Sequence, residues 1–227
     1  RLGFAFQWNS LQAVSVTGAD PAFAGGQYSG IQVRGLSQFR FSSDGSVPWS
    51  ESLQRRDALS GVAAQWEIDA SKTKQREVVD SIDLANNTSQ VLQSALNAAT
   101  FPQTYPTNQL GRALRDVEVL FSTPTLGTEV AYVRRGGLDT HSKQDETLVP
   151  ILQELNTALG EFVNNMKAKG LWNNVVVVIL SEFGRTNREN GSQGTDHGGA
   201  LPLFLTGGAG ESNLIGGLLP QDLTDNG

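Results

Sequence analysis

The run NVVVVIL, residues 174–180, decides the fold. An unbroken series of β-branched and aliphatic residues has no polar face to turn to water. It reads as a strand buried on both sides, the mark of a central strand in a parallel sheet. Upstream of it, Lys143 to Lys169 reads as a long amphipathic helix. Leu148, Ile151, Leu152, Leu155, Leu159, Phe162, Val163 and Met166 recur at helical spacing there. Pro150 falls early in that helix, where a missing donor costs little, and Gly170 stands as its C-terminal cap. Before the helix, EVAYVRR (129–135) reads as a short strand that ends at Gly136-Gly137. Strand, helix and strand in this order predict a βαβ unit. ALPLFLTGG (200–208) predicts one more strand. The C-terminal half is therefore read as α/β, with a doubly wound sheet.

Further toward the N-terminus, AVSVTG (13–18) and GIQVRG (30–35) alternate as extended segments do, with Pro21, Gly25 and Gly26 marking loops between them. Ser50 to Thr73 is helical in composition. In residues 81–99, Ile82, Ala85, Val91, Leu92, Ala95 and Leu96 form a helical stripe. Asn108 is placed to cap a further helix, on which Leu110, Ala113, Leu114, Val117 and Leu120 share a face. With no linker or internal repeat, residues 1–227 are read as a single α/β domain.

Composition removes several classes of function. The 227 residues carry 17 Lys+Arg against 23 Asp+Glu, a net charge of −6, and the pI is near 4.9. So little positive charge argues against nucleic acid as a partner. No apolar run approaches the length of a transmembrane helix. Cysteine is absent, which excludes thiolate metal sites and cysteine nucleophiles and leaves carboxylate and imidazole as ligands. There are two histidines, His141 and His197.

Both histidines fall in loops expected beyond the carboxyl ends of strands, where ligands of open α/β sheets bind. GGLDTHSKQ (136–144) holds Asp139 and His141, and SEFGRTNRENGSQGTDHGG (181–199) holds Asp196 and His197. In an extended segment, residues i and i+2 point to one side, so Asp139 and His141 can converge on one cation. Asp196 is either a ligand itself or an acceptor that orients an imidazole. Glu182 reads as a metal ligand or a general base. Arg185 reads as a clamp for phosphate or sulfate, or as the partner of Glu182 in a loop-holding ion pair. Ser181 with His197 would make a serine hydrolase, but the G-x-S-x-G elbow is missing.

The ordered set GGLDTHSKQ, a long helix, VVVVILSEFGRT and ENGSQGTDHGG resembles a bacterial family, domain of unknown function 1501, grouped with the alkaline phosphatase and sulfatase superfamily. The motifs span about residues 108–210. The resemblance implies a three-layer α/β sandwich around a mostly parallel, doubly wound sheet. It implies that this chain is the later part of a larger alkaline phosphatase-like domain, incomplete at its N-terminus. It further implies a periplasmic or extracellular protein that binds divalent metal (zinc, calcium, magnesium or manganese) and cleaves phosphate or sulfate esters of small molecules or polymers. Asp139, His141 and His197 resemble the ligands of one metal, and Glu182 falls where relatives place an Asp-His pair for a second.

The sequence departs from that pattern in three places. Only Thr140 separates Asp139 from His141, where relatives have three residues. Phe183 follows Glu182 where a histidine ligand is expected. The superfamily's nucleophile has no counterpart in residues 1–50 and is expected upstream of Arg1. The departures keep a second expectation in view: a catalytically degenerate binding or structural protein on the same scaffold.

Overall fold

The structure, a computed structural model, describes residues 11–21, 30–39, 49–65, 73–199 and 201–208. The Gly25-Gly26 loop, the stretch 66–72 and the C-terminal tail lie outside the described residues. The elements in chain order are β1 (Ala13–Ser15), β2 (Ile31–Gln32), α1 (Trp49–Gln65), α2 (Thr73–Ala98), α3 (Gln109–Phe121), β3 (Val130–Tyr132), α4 (Gln144–Ala168), β4 (Val176–Ile179), β5 (Gly184–Arg185), β6 (His197–Gly198) and β7 (Phe204–Gly207). Two compact units divide them. The first comprises the described residues up to Thr100 with Asp116–Val133, and the second Phe101–Arg115 with those from Arg134 onward.

The first unit is built on a parallel sheet ordered β2-β1-β3, with Val14 opposite both Ile31 and Ala131. Val14 has no exposed surface, and neither do Leu36, Leu92 and Leu126. The α2 stripe expected from the sequence is only partly the buried one. Leu92 and Ala95 are inside, but Val91 is 40% exposed, and Asn86 and Ser89 are buried in its stead. The Asn86 amide donates to the Ser60 hydroxyl, and Ser89 bonds to backbone. The Ser89 hydroxyl donates to the Phe39 carbonyl at 3.0 Å, and the Gln93 amide donates to the Leu36 carbonyl at 3.1 Å. From α3, the buried Asp116 carboxylate accepts the Leu36 amide at 2.8 Å.

The second unit packs around α4, whose inward side is Ile151, Ala158, Phe162, Asn165 and Met166. Lys143 precedes the helix in a left-handed conformation (φ 45°), and Gly170 follows it (φ 68°). Asn108 caps α3 as its sequence position suggested, its side-chain oxygen accepting the Gly111 amide at 2.7 Å. The Arg135 guanidinium holds Glu154 through Nε at 3.1 Å and Nη2 at 2.8 Å. Asn165 grips the Gln103 backbone through both ends of its amide.

Two features differ from the sequence reading. β4 is not flanked by parallel neighbours among the described residues. It pairs antiparallel with β7, Val176 opposite Gly207 and Ile179 opposite Phe204. Val176 and Val178 are 65% and 51% exposed. β3 and β4 belong to different sheets, one in each unit. An apolar run fixes that a strand seeks cover, but not its direction. Direction follows from the connection, which here includes the β5–β6 ribbon.

Candidate metal centre

The β5–β6 ribbon and the loop before α4 bring the site together within the second unit. Arg185 stands opposite His197 in the antiparallel register. A Cβ on Gly198 would lie 2.6 Å from the Arg185 backbone, so the strands can approach this closely only with glycine there. The loop 190–195 then docks on the loop 139–144. Thr195 N–H donates to the Thr140 carbonyl at 3.1 Å, Lys143 N–H to Ser192 O at 3.0 Å and Gln144 N–H to Gln193 O at 2.7 Å. The Gln144 side-chain oxygen accepts the hydroxyls of both Thr140 (2.9 Å) and Thr195 (2.7 Å), one from each loop. Lys143 and Gln193 are the non-glycine residues with positive φ among those described. Both sit at this junction, where left-handed backbone is held by tertiary bonds.

Docking joins the two Asp-His pairs. His141 Nε2 lies 3.0 Å from Asp139 Oδ1 and 3.1 Å from His197 Nε2, and His197 Nε2 lies 3.1 Å from Asp139 Oδ1. These three residues are the group among the described ones whose ligand atoms could share a metal ion. All three side chains are about half exposed.

Asp196 is not the fourth corner. Its Oδ1 accepts a hydrogen bond from His141 Nδ1 at 3.1 Å, the orienting alternative considered from the sequence, acting on the histidine of the other loop. A carboxylate at Nδ1 places the ring proton there and leaves a lone pair on Nε2. That lone pair faces a carboxylate oxygen and a second imidazole nitrogen. Three electron-rich atoms about 3 Å apart repel unless a proton or cation sits among them. Metal–ligand bonds of about 2.1 Å meeting near 90° span such a triangle, so the donor set and spacing fit a hard or borderline divalent ion.

Arg185 serves this centre from behind. Its Nη1 donates to Asp139 Oδ1, its Nη2 to the Thr195 carbonyl, and its Nε to the Thr195 hydroxyl at 3.0 Å. Each of its three nitrogens has a partner within the protein, and the guanidinium holds Asp139. Phe183, which cannot ligate metal, stacks on His197 with ring centroids 4.0 Å apart and planes at 28°. Glu182 is exposed and outside the converging group. The Ser181 hydroxyl donates to the Phe183 carbonyl at 2.6 Å in place of the His197 pairing that a serine hydrolase would show.

Electrostatics follow the bonds. Lost hydration pushes the Asp139 carboxyl up, but hydrogen bonds from His197 and Arg185 and the charge of both imidazoles outweigh it and leave the pKa lowered. Asp196 is lowered chiefly by hydrogen bonds from Asn190 and then from His141.

Sequence reasoning missed Asn190, Thr195 and Gln144, and read Phe183 only as a missing ligand. Small polar residues in a glycine-rich loop carry no distinguishing pattern, and their role exists only once the loops are docked.

A family model described as a protein of unknown function, DUF1501, matches residues 9–220. The chain belongs to the DUF1501 family. The match covers both units and every residue of the Asp139, His141 and His197 centre. Neither the curated proteins nor the solved structures returned a match. No helix among the described residues of this DUF1501 protein is long and apolar enough to cross a membrane.

Proposed function

We propose that this DUF1501 protein is a metal-dependent hydrolase of phosphate or sulfate esters with a single divalent metal held by Asp139, His141 and His197. The observation that supports this is the 3.0–3.1 Å triangle of Asp139 Oδ1, His141 Nε2 and His197 Nε2. A divalent cation bound there would polarise an ester oxygen or lower the pKa of a bound water. The chain's own residues prepare the site: Asp196 orients His141, Arg185 holds Asp139, and Phe183 packs against His197. With Glu182 outside the group, the proposal takes one metal and leaves Glu182 as a base at the rim. The alkaline phosphatase-like three-layer sandwich and a periplasmic or extracellular location belong to the same proposal. The parallel β2-β1-β3 sheet is the feature that supports the former.

The test is metal content of the purified protein, with turnover of an aryl phosphate and an aryl sulfate in the presence of added zinc, manganese, magnesium or calcium. Metal-dependent turnover that is lost in Asp139→Ala is expected. Turnover that survives both chelation and Asp139→Ala would sink the proposal.

A second reading, a degenerate binding or structural protein, is favoured by one observation. The guanidinium of Arg185, the residue read as an oxyanion clamp, is engaged by Asp139 and Thr195. It predicts bound metal without turnover of either ester.

A further inference from the structure

We infer that Asn190 is the positioning residue that sets the His141–Asp196 pair, an inference that rests on the metal-centre reading above. Its carboxamide uses its full hydrogen-bonding capacity, in a way that admits only one orientation. Oδ1 accepts two backbone amides, Ser192 N–H at 2.9 Å and Gly194 N–H at 3.1 Å. Only an oxygen can accept both, so the amide group must point the other way. There Nδ2 donates to the His141 carbonyl at 3.0 Å and to Asp196 Oδ1 at 3.1 Å.

That second set links the His141 backbone to the Asp196 carboxylate. One hydrogen of Nδ2 ties the loop to the His141 backbone. The other meets the same Asp196 oxygen that accepts His141 Nδ1. Asp196 Oδ1 is therefore held between two donors, one fixing the carboxylate and the other being fixed by it. The backbone closes the turn as well, with Asn190 N–H donating to Gly194 O at 2.8 Å and Gln193 N–H to Asn190 O at 3.2 Å. Asn190 thus shapes the loop with one end of its side chain and aims the imidazole with the other. It touches neither Asp139 nor His197 in any of these bonds, so its effect on the centre passes through Asp196 and His141.

The substitution that separates the two roles is Asn190→Asp. It keeps an oxygen for Ser192 and Gly194 but replaces the donor by an oxygen facing Asp196 and the His141 carbonyl. Asn190→Ala removes both roles. The full chain is titrated with Co(II) alone, followed by its visible spectrum and by calorimetry, and the imidazole 15N shifts of the two histidines are recorded without metal. Expected are Co(II) binding weakened about 10- to 100-fold in Asn190→Asp, a His141 ring shifted toward the average of its two tautomers, and unchanged Ser192 and Gly194 amide shifts. Wild-type Co(II) affinity together with a wild-type His141 ring spectrum in Asn190→Asp would overturn the inference. So would an Asn190→Ala protein that unfolds earlier but keeps the His141 signature. If the wild-type chain itself binds no Co(II), the metal-centre reading fails, while the ring shifts still decide the role of Asn190.

Discussion

His141 Nδ1 and Asp196 Oδ1 lie 3.1 Å apart, although 55 residues separate them in the chain. The bond assigns the imidazole its tautomer and directs the Nε2 lone pair at Asp139 and His197. Asp196→Ala is expected to leave the fold in place and weaken divalent metal binding about 10- to 100-fold. Substitution of His197 by alanine is expected to cost more, because it removes a ligand. Calorimetric titration of the three proteins with Zn(II) checks the order.

Gly194 packs flat on the peptide that follows His141. A Cβ there would lie 2.2 Å from the His141 carbonyl carbon and 2.5 Å from the Ser142 nitrogen. Gly194→Ala must therefore push the two loops apart, at a cost of about 1–3 kcal/mol, and should lower both metal affinity and thermal stability. Gly191→Ala, three residues away in the same loop, meets nothing within 4 Å and is expected to bind metal like the wild type. Thermal melts and Zn(II) titrations of this pair separate close approach from general loop sensitivity.

The lowered carboxyls make stability depend on pH with a definite sign. Asp139 is lowered by His197 and Arg185 against the opposing loss of hydration, and Asp196 by Asn190 and His141, both from an ordinary value of 3.8. The unfolded chain takes up protons first as pH falls, so the folded state loses advantage in acid. The contribution is complete well above the ordinary value of 3.8 and disappears as pH falls below it through the lower folded ones. Urea unfolding midpoints across that range should decline, and Arg185→Gln should shrink the decline by removing the donor to Asp139. A pH profile identical in wild type and Arg185→Gln would contradict the assignment.

In the first unit, the Asp116 carboxylate accepts the Leu36 amide at 2.8 Å, and both residues are buried. Asp116→Ala leaves that amide without its acceptor in a site closed to water, a loss of about 1–3 kcal/mol. Asp116→Asn keeps an acceptor and should recover part of it. Chemical denaturation of the two variants measures the difference, with Zn(II) binding expected to stay intact.

The local elements were legible in the sequence because periodicity is a local property. The strands at 13–15, 130–132, 176–179 and 204–207 and the helices at 109–121 and 144–168 lie within the segments that their patterns marked. Asp139, His141 and His197 were legible as ligand types for the same reason: residue chemistry and loop position are written in order along the chain. The partners were not. β4 turned antiparallel to β7 because strand direction depends on the connection between them, not on the valines themselves. Val91 faced outward and Ser89 inward because α2 was oriented by hydrogen bonds to Phe39 and Leu36 as well as by apolar burial.

The sequence by itself determined which residues could ligate, where the long helices and the apolar strands would form, and that only carboxylate and imidazole were on offer. Tertiary structure alone decided what each polar side chain does. It made Asp196 the acceptor for His141, turned Arg185 onto Asp139 and left Glu182 outside the centre. It also gave Phe183 and Asn190 work that no spacing announced. The physical reason is range. Helical and strand periodicity arises between neighbours in the chain, whereas a hydrogen bond across 55 residues exists only after two loops have docked.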